Sequence, residues 1–263
     1  MSRSNPDVRL ESPCKRYFEW NGDAGGFKYF DKAKDAVEKG TGNIAVPLPF
    51  AFLVIDELIT IGGFSESANS RFWSNEIRKK DLKTGILTVK NGKGECCSGT
   101  YESIKGKETG MKYCESVYIA YRDENNALQI GNIKFVGAGL SSWIDFVSGT
   151  RDDKGKRLTP PNDPYKGAIK VATMLEGKKG KTVYQMPVFV TVPVKEETDE
   201  QVKEMDRELQ AYLKLYFNTK PSESNLDAMD AEMDKQPSAR ESAANTPNQD
   251  FSGAIQAEDD LPF

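Results

Sequence analysis

Apolar and polar residues alternate in short bursts through most of this chain, with glycine-rich breaks between them, which is the pattern of half-buried strands joined by turns. Residues 15–20 (KRYFEW) alternate and are rich in aromatics, and a loop at 21–26 (NGDAGG) leads to FKYF at 27–30. A short polar helix or loop then reaches Gly40. Residues 44–61 are strongly apolar and predict a buried extended segment of one or two strands, ending at Gly62-Gly63. Residues 86–90 (ILTVK) close on an Asn91-Gly92 turn. Residues 116–122 and 127–136 predict a hairpin through 123–126, and 168–175 with 183–194 predict a second one turning at 176–181 (EGKKGK). A short helix is expected at 140–147, with Trp143 in the core beside Phe18, Tyr118 and Phe135. Closely spaced strands with glycine turns favour a mainly β, closed or nearly closed barrel over an alternating β-α architecture.

The periodicity changes at 198–217, where Val202, Met205, Leu209, Tyr212, Leu213 and Tyr216 recur at three- and four-residue spacing and predict an amphipathic helix. Thr198 and Gln201 fit a capping box at its start. Packing on the barrel is the reading of that apolar face, with a homodimer formed through it as the alternative. Beyond Pro221 large apolar residues are sparse and no period persists, so residues 221–263 are expected to be a disordered acidic tail attached to a body spanning 1–220.

Charge sharpens that division. The chain has a formal net charge of −4, yet residues 195–263 hold 7 Lys and Arg against 17 Asp and Glu, a net of −10, which leaves +6 on residues 1–194. A basic body with an acidic end points to a polyanion partner. The chain has no histidine, which excludes a Ser-His-Asp triad, a histidine general base and HExxH zinc ligation. No apolar run approaches the ~18 residues of a membrane span, and the N-terminus lacks the apolar stretch of a signal peptide. A cytoplasmic protein without a membrane partner is therefore expected. Cys14, Cys96, Cys97 and Cys114 lack the usual zinc spacing and read as reduced thiols, with an all-cysteine zinc site as the alternative; no cofactor is otherwise implied. The run at 177–182 (GKKGKT) ends like a P-loop but leads into a β-type segment, so its phosphate-cradling helix is missing. Asp56-Glu57 and Asp152-Asp153 are the carboxylates that a metal-dependent nuclease would use, and that enzyme is one competing reading.

Binding unpaired nucleic acid without sequence preference takes cations for phosphates and flat faces for bases. Four groups in the body interleave the two. Lys15, Arg16, Tyr17, Trp20, Lys28, Tyr29 and Phe30 lie near the N-terminus. Arg71, Phe72 and Trp73 precede Arg78, Lys79 and Lys80. Lys105, Lys107, Lys112 and Tyr113 surround a glycine-containing loop, and Lys178, Lys179 and Lys181 occupy the second hairpin tip. Stacking by Trp20 or Trp73 would quench tryptophan emission.

The chain finishes on Glu258, Asp259, Asp260, Leu261, Pro262 and Phe263. An aromatic ring with an α-carboxylate beside it, behind a run of acids, is a peptide ligand for an apolar pocket with a basic rim. This tip resembles that of bacterial and phage single-stranded DNA-binding proteins, which reads Asp-Asp-Asp-Ile-Pro-Phe in the bacterial form; Glu258 and Leu261 are the departures here. The resemblance implies an OB-fold-like barrel with inserted loops, larger than the short bacterial domain. It further implies sequence-independent binding and protection of single-stranded DNA in replication, recombination and repair, without enzymatic activity. The tip at 258–263 would then recruit a polymerase, primase, helicase or nuclease. A protein whose acidic end mimics DNA is a third reading.

Overall fold

A computed structural model of the chain describes residues 11–218. Alternating aromatic and β-branched residues set its strands. In chain order the elements are β1 (Arg16–Asn21), β2 (Gly26–Phe30), α1 (Lys32–Val37), β3 (Asn43–Val46) and β4 (Phe50–Ser65). Three two-residue strands follow, β5 (Ser70–Arg71), β6 (Trp73–Ser74) and β7 (Ile77–Arg78), then a 3-10 turn (Lys79–Asp81), β8 (Leu87–Asn91), β9 (Gly94–Gly99) and α2 (Tyr101–Ile104). The chain continues through β10 (Met111–Arg122), β11 (Leu128–Phe135), α3 (Gly137–Ser148), β12 (Ala168–Lys179), β13 (Thr182–Val192) and α4 (Glu196–Asn218).

The principal sheet runs β13-β12-β4-β10-β11-β1-β2-β3, with β5 and β7 paired to β4, while β6-β8-β9 form a second sheet. The β1–β11 pair is parallel, whereas β4–β10, β10–β11 and β12–β13 are antiparallel. The principal sheet curls so far that its β13 edge reaches the β1–β2 turn. Gln185 N donates to Gly22 O at 2.7 Å, and Trp20 Nε1 donates to Gln185 O at 2.8 Å.

The concave side is filled by Phe18, Phe27, Phe52, Ile119, Ile133 and Phe135. α3 closes it from below by laying the Trp143 ring on Phe135, with centroids 5.1 Å apart. α4 covers part of the opposite side, its Val202, Leu209 and Leu213 packing on Ile55, Leu58, Tyr118, Ala120 and Ile130. A third cluster, including Ile61, Phe72, Leu87 and Ile104, joins the second sheet to the end of β4.

The mainly β expectation holds, as do both hairpins, the short helix and an amphipathic helix packed on the principal sheet. Phe18, Tyr118, Phe135 and Trp143 are all buried. Three boundaries differ. Gly62-Gly63 does not end β4; Gly63 has φ +108, and a side chain there would run into the Gly110 carbonyl, so the pair lets β10 come close instead of stopping the strand. The second hairpin turns on Gly180 and Lys181 alone, because β12 and β13 extend further than their apolar runs. α4 starts at Glu196, and Thr198 N donates to Lys195 O at 3.0 Å. Thr198 therefore lies inside the first turn, and the capping box with Gln201 is not its N-terminus. No helix of the described residues is long and apolar enough to cross a membrane. The expected acidic tail and its tip lie outside the described residues.

The docking of α4 can be tested by truncation. Leu209 is fully buried and Leu215 on the same helix is exposed. Leu209→Ala should cost about 2–5 kcal/mol and Leu215→Ala no more than about 0.5 kcal/mol, read from urea unfolding midpoints at constant m-value.

Candidate nucleic-acid interface

Residues that alternate with the core on β10, β11, β1 and β2 project to the convex side. The ladder sets Ser116 opposite Lys134, Lys134 opposite Glu19, and Glu19 opposite Lys28. One step along, Tyr118 stands opposite Asn132 and Asn132 opposite Tyr17. Beside this surface opens a cleft of about 340 Å³. Its floor is made by Thr60, Glu76, Ser116 and Asn132, all buried. Lys134, Tyr17, Tyr29 and Phe30 form walls, and the exposed Lys15 and Lys32 stand at the rim.

The floor is a connected polar network. Asn132 Nδ2 donates to Ser116 Oγ at 2.7 Å, Ser116 Oγ donates to Glu76 Oε1, and the Tyr118 hydroxyl donates to Glu76 Oε2 at 2.6 Å. Burial raises the Glu76 pKa, and the two hydroxyl donors only partly offset it. Arg16 spans the cleft edge. Its Nη2 donates to Glu124 Oε2 at 2.7 Å, which holds that carboxyl down to about 2. The guanidinium lies 4.3 Å from the Tyr29 ring centroid, a cation–π contact. Glu19, the acid among these cations, is ion-paired with Arg71. Burial pushes its pKa up, but Arg71, Lys28 and Lys134 outweigh burial and hold it below the usual value.

Of the residues expected from sequence, Lys15, Arg16, Tyr17, Tyr29 and Phe30 line the cleft. Lys28 and Arg71 meet at Glu19 beside it, and Lys112 extends the same outward set along β10. Lys178 and Lys181 are exposed and Lys179 half-buried at the tip of the β12–β13 hairpin. β12 pairs with β4 only from Ile169 to Val171, so the rest of this hairpin is a two-stranded arm.

The others go elsewhere. Trp20 faces the core, and Phe72 and Trp73 are buried, so none of the three offers a face to a base. The second sheet covers Phe72 and Trp73, a packing that their local sequence did not indicate. Arg78 is engaged by Asp56 at 3.1 Å and Gln210 at 3.2 Å. Lys79 sits between Glu57 at 3.2 Å and Glu115 at 3.1 Å. These two cations neutralise acids of β4 and β10 and are not positioned for phosphates. Lys80 and Lys107 are exposed outside the cleft, Lys105 bonds Glu102 at 2.7 Å, and Tyr113 packs edge-on to Tyr101.

Sequence reasoning missed Thr60, Glu76, Ser116, Asn132 and Lys134. The signal was present for the last two, since GNIKF places Asn and Lys opposite in phase to Ile133 and Phe135. Glu76 had none, because only the fold carries its short strand connection over β10.

The metal alternatives find no support in the side-chain positions. Among the described residues no three His, Cys, Asp or Glu converge as ligands, and the four cysteines are free thiols. Asp56 and Glu57 are taken by Arg78 and Lys79, while Asp152 accepts from the Lys154 and Lys156 amides of its own loop. The chain matches no protein-family model, no curated protein and no solved structure.

The Glu19–Arg71 pair gives a pH signature. A lowered carboxyl pKa contributes stability that is present above the unfolded value, near 4.3, and is lost as pH falls through the native value. Glu19→Gln should therefore cost up to about 3 kcal/mol at neutral pH, with the gap to wild type closing below about pH 4, as measured by urea unfolding across the range.

Proposed function

We propose that this protein is a non-enzymatic single-stranded DNA-binding protein with an OB-type barrel, and that the part of the convex face that α4 leaves open, on β11, β1 and β2 beside the cleft, holds the strand. The observation that carries the reading is the agreement between connectivity and chemistry. β4, β10 and β11 run consecutively, α3 follows, and β12 and β13 return so that β12 lies beside β4. This order resembles that of an OB barrel, although β11 pairs in parallel with β1 and not with β13. In that architecture the second and third strands and the loops between strands one and two and between four and five contact oligonucleotides. Here the second and third strands are β10 and β11, which carry Ser116, Asn132 and Lys134 into the cleft. The last loop is the hairpin tip with Lys178, Lys179 and Lys181.

The chemistry suits a strand without sequence constraint. Lys15, Lys28, Lys112 and Lys134 supply phosphate contacts, and Tyr17, Phe30 and the Arg16 plane supply stacking surfaces worth about 1–3 kcal/mol per base. The protein coats unpaired DNA during replication, recombination or repair. Its acidic tip, residues 258–263, recruits a polymerase, primase, helicase or nuclease and competes with DNA for the basic face.

Two measurements test this reading. Fluorescence anisotropy of labelled oligo-dT should show binding that weakens with salt at a slope of about −0.7 per phosphate contacted. Lys15→Ala and Lys134→Ala should each flatten the slope by roughly that amount. Tryptophan quenching is not the readout, because Trp20, Trp73 and Trp143 are all buried. Absence of oligo-dT binding at low salt overturns the proposal. In the second measurement, deletion of residues 258–263 should leave DNA affinity equal or higher while abolishing partner capture, and a fall in affinity contradicts the competition.

A further inference from the structure

Outside the cleft, the second sheet gathers sulfur atoms that strand binding does not use. β8 and β9 pair Val89 with Cys97 and Lys90 with Glu95, so Cys96 is the extra residue of a β-bulge. Successive residues of a regular strand point to opposite faces. Across this bulge, however, Cys96 and Cys97 both pack against the third cluster, to which the buried Val89 belongs. Met111, the first residue of β10, packs there too. Cys97 Sγ donates to Met111 Sδ at 3.9 Å, while Cys96 Sγ makes only a weak contact with the Gly94 carbonyl at 3.6 Å. All three side chains are half-buried. Burial raises the pKa of both thiols, and Glu108 and Glu95 add to the rise; Cys97 contributes at Cys96, and Lys107 opposes the rise at Cys97. Both thiols are therefore protonated at neutral pH and are poor nucleophiles. Two carboxylates against one ammonium also make this corner more welcoming to a cation than to an anion.

We propose that Cys96, Cys97 and Met111 form a three-sulfur site for a soft monovalent metal ion, Cu(I). The proposal is independent of the single-stranded DNA reading. Thiolate and thioether donors together select Cu(I) among first-row metals. At metal–sulfur distances of about 2.3 Å, a trigonal shell sets its sulfurs about 4.0 Å apart, and the Cys97–Met111 pair stands at 3.9 Å. The ion takes the place of the proton between those two sulfurs, and Cys96 turns from Gly94 to complete the shell. Three metal–sulfur bonds form, two thiol protons pass to solvent, and the ion keeps its oxidation state. Zinc does not fit, since it takes four ligands from Cys, His and carboxylates. The chain has no histidine, Cys14 packs beside α4, and Cys114 turns to the Lys112 carbonyl at 3.5 Å. A thioether is what completes the set here, and it is a donor that the converging acids and thiols of a zinc or nuclease site would not include. The bound ion would tie β9 to the start of β10, and so the second sheet to the principal one.

The test uses the reduced full chain without oxygen, titrated with Cu(I) held by a chromophoric Cu(I) chelator whose colour reports transfer. One equivalent should move to the protein, and the thermal midpoint should rise by about 5 °C or more. Met111→Leu, a swap that nearly conserves volume, should weaken uptake by at least about tenfold, the scale of loss when even an outer partner of a metal ligand is removed. Cys97→Ser should abolish uptake, and Cys14→Ser should leave it unchanged. Should the Cys97 variant fail to fold, X-ray absorption at the copper edge of the loaded wild-type chain decides: a shell of three sulfurs supports the site, and a shell of two sulfurs or one containing oxygen overturns it. No uptake from the chelator, uptake unchanged by Met111→Leu, or displacement of the copper by equimolar Zn²⁺ also overturns it. None of these outcomes bears on oligo-dT binding, so the single-strand reading stands or falls separately.

Discussion

The β4–β10 ladder is the contact from which the rest of the described structure takes its position. β4 runs sixteen residues and pairs with β10 from Phe52 to Gly63, shifting register once, at Tyr118/Ile119. Both strands are buried on two sides: the main core and, further along, the third cluster lie against one, and α4 lies against part of the other. A strand pair covered on both faces leaves few places for polar groups, which is why those it does carry form networks. On the convex side Ser116 and Tyr118 donate to Glu76, and Thr60 Oγ1 donates to the Ser74 carbonyl. On the barrel side Glu57 and Glu115 share Lys79, and Trp143 Nε1 donates to Glu57 at 3.0 Å. Burial raises the Glu115 pKa even with Lys79 beside it. Such an arrangement adds little net stability compared with apolar packing, but removing one partner is costly.

The sequence was legible where one face of an element was buried and the other was wet. The three- and four-residue recurrence from Val202 to Tyr216 specified α4, because burial on one side alone writes a period into the residues; SVYIAYR and ALQIGNIKFV, buried over most of both faces, were legible instead from their β-branched and aromatic residues between turns. It was less legible where burial depended on a distant segment. Phe72 and Trp73 sit among arginines and polar residues, and only the arrival of β8 and β9 makes them interior. Arg78 and Lys79 look like a phosphate-binding run until Asp56, Glu57 and Glu115 are brought to them.

The candidate site divides along the same line. Its rim, from Lys15 to Phe30, is visible as interleaved charge and aromatic residues. Its floor is assembled from four separate stretches, at Thr60, Glu76, Ser116 and Asn132, that meet only through strand register. The polar members of β10 and β11 are the off-phase residues of two apolar strands, and a lone Asn or Ser in a strand carries no charge signal.

The β12–β13 arm has a mechanical consequence. Beyond Val171 it has no third strand to brace it, and at its base Met174 occupies the notch left by the absent side chain of Gly25, which has φ +68. A second hold lies further out, where Gln185 N donates to Gly22 O at 2.7 Å and Trp20 Nε1 donates to Gln185 O at 2.8 Å, so the ribbon is pinned along the β1–β2 turn and its lysine-bearing tip, from Gly177 to Tyr184, overhangs that anchor like the end of a bracket.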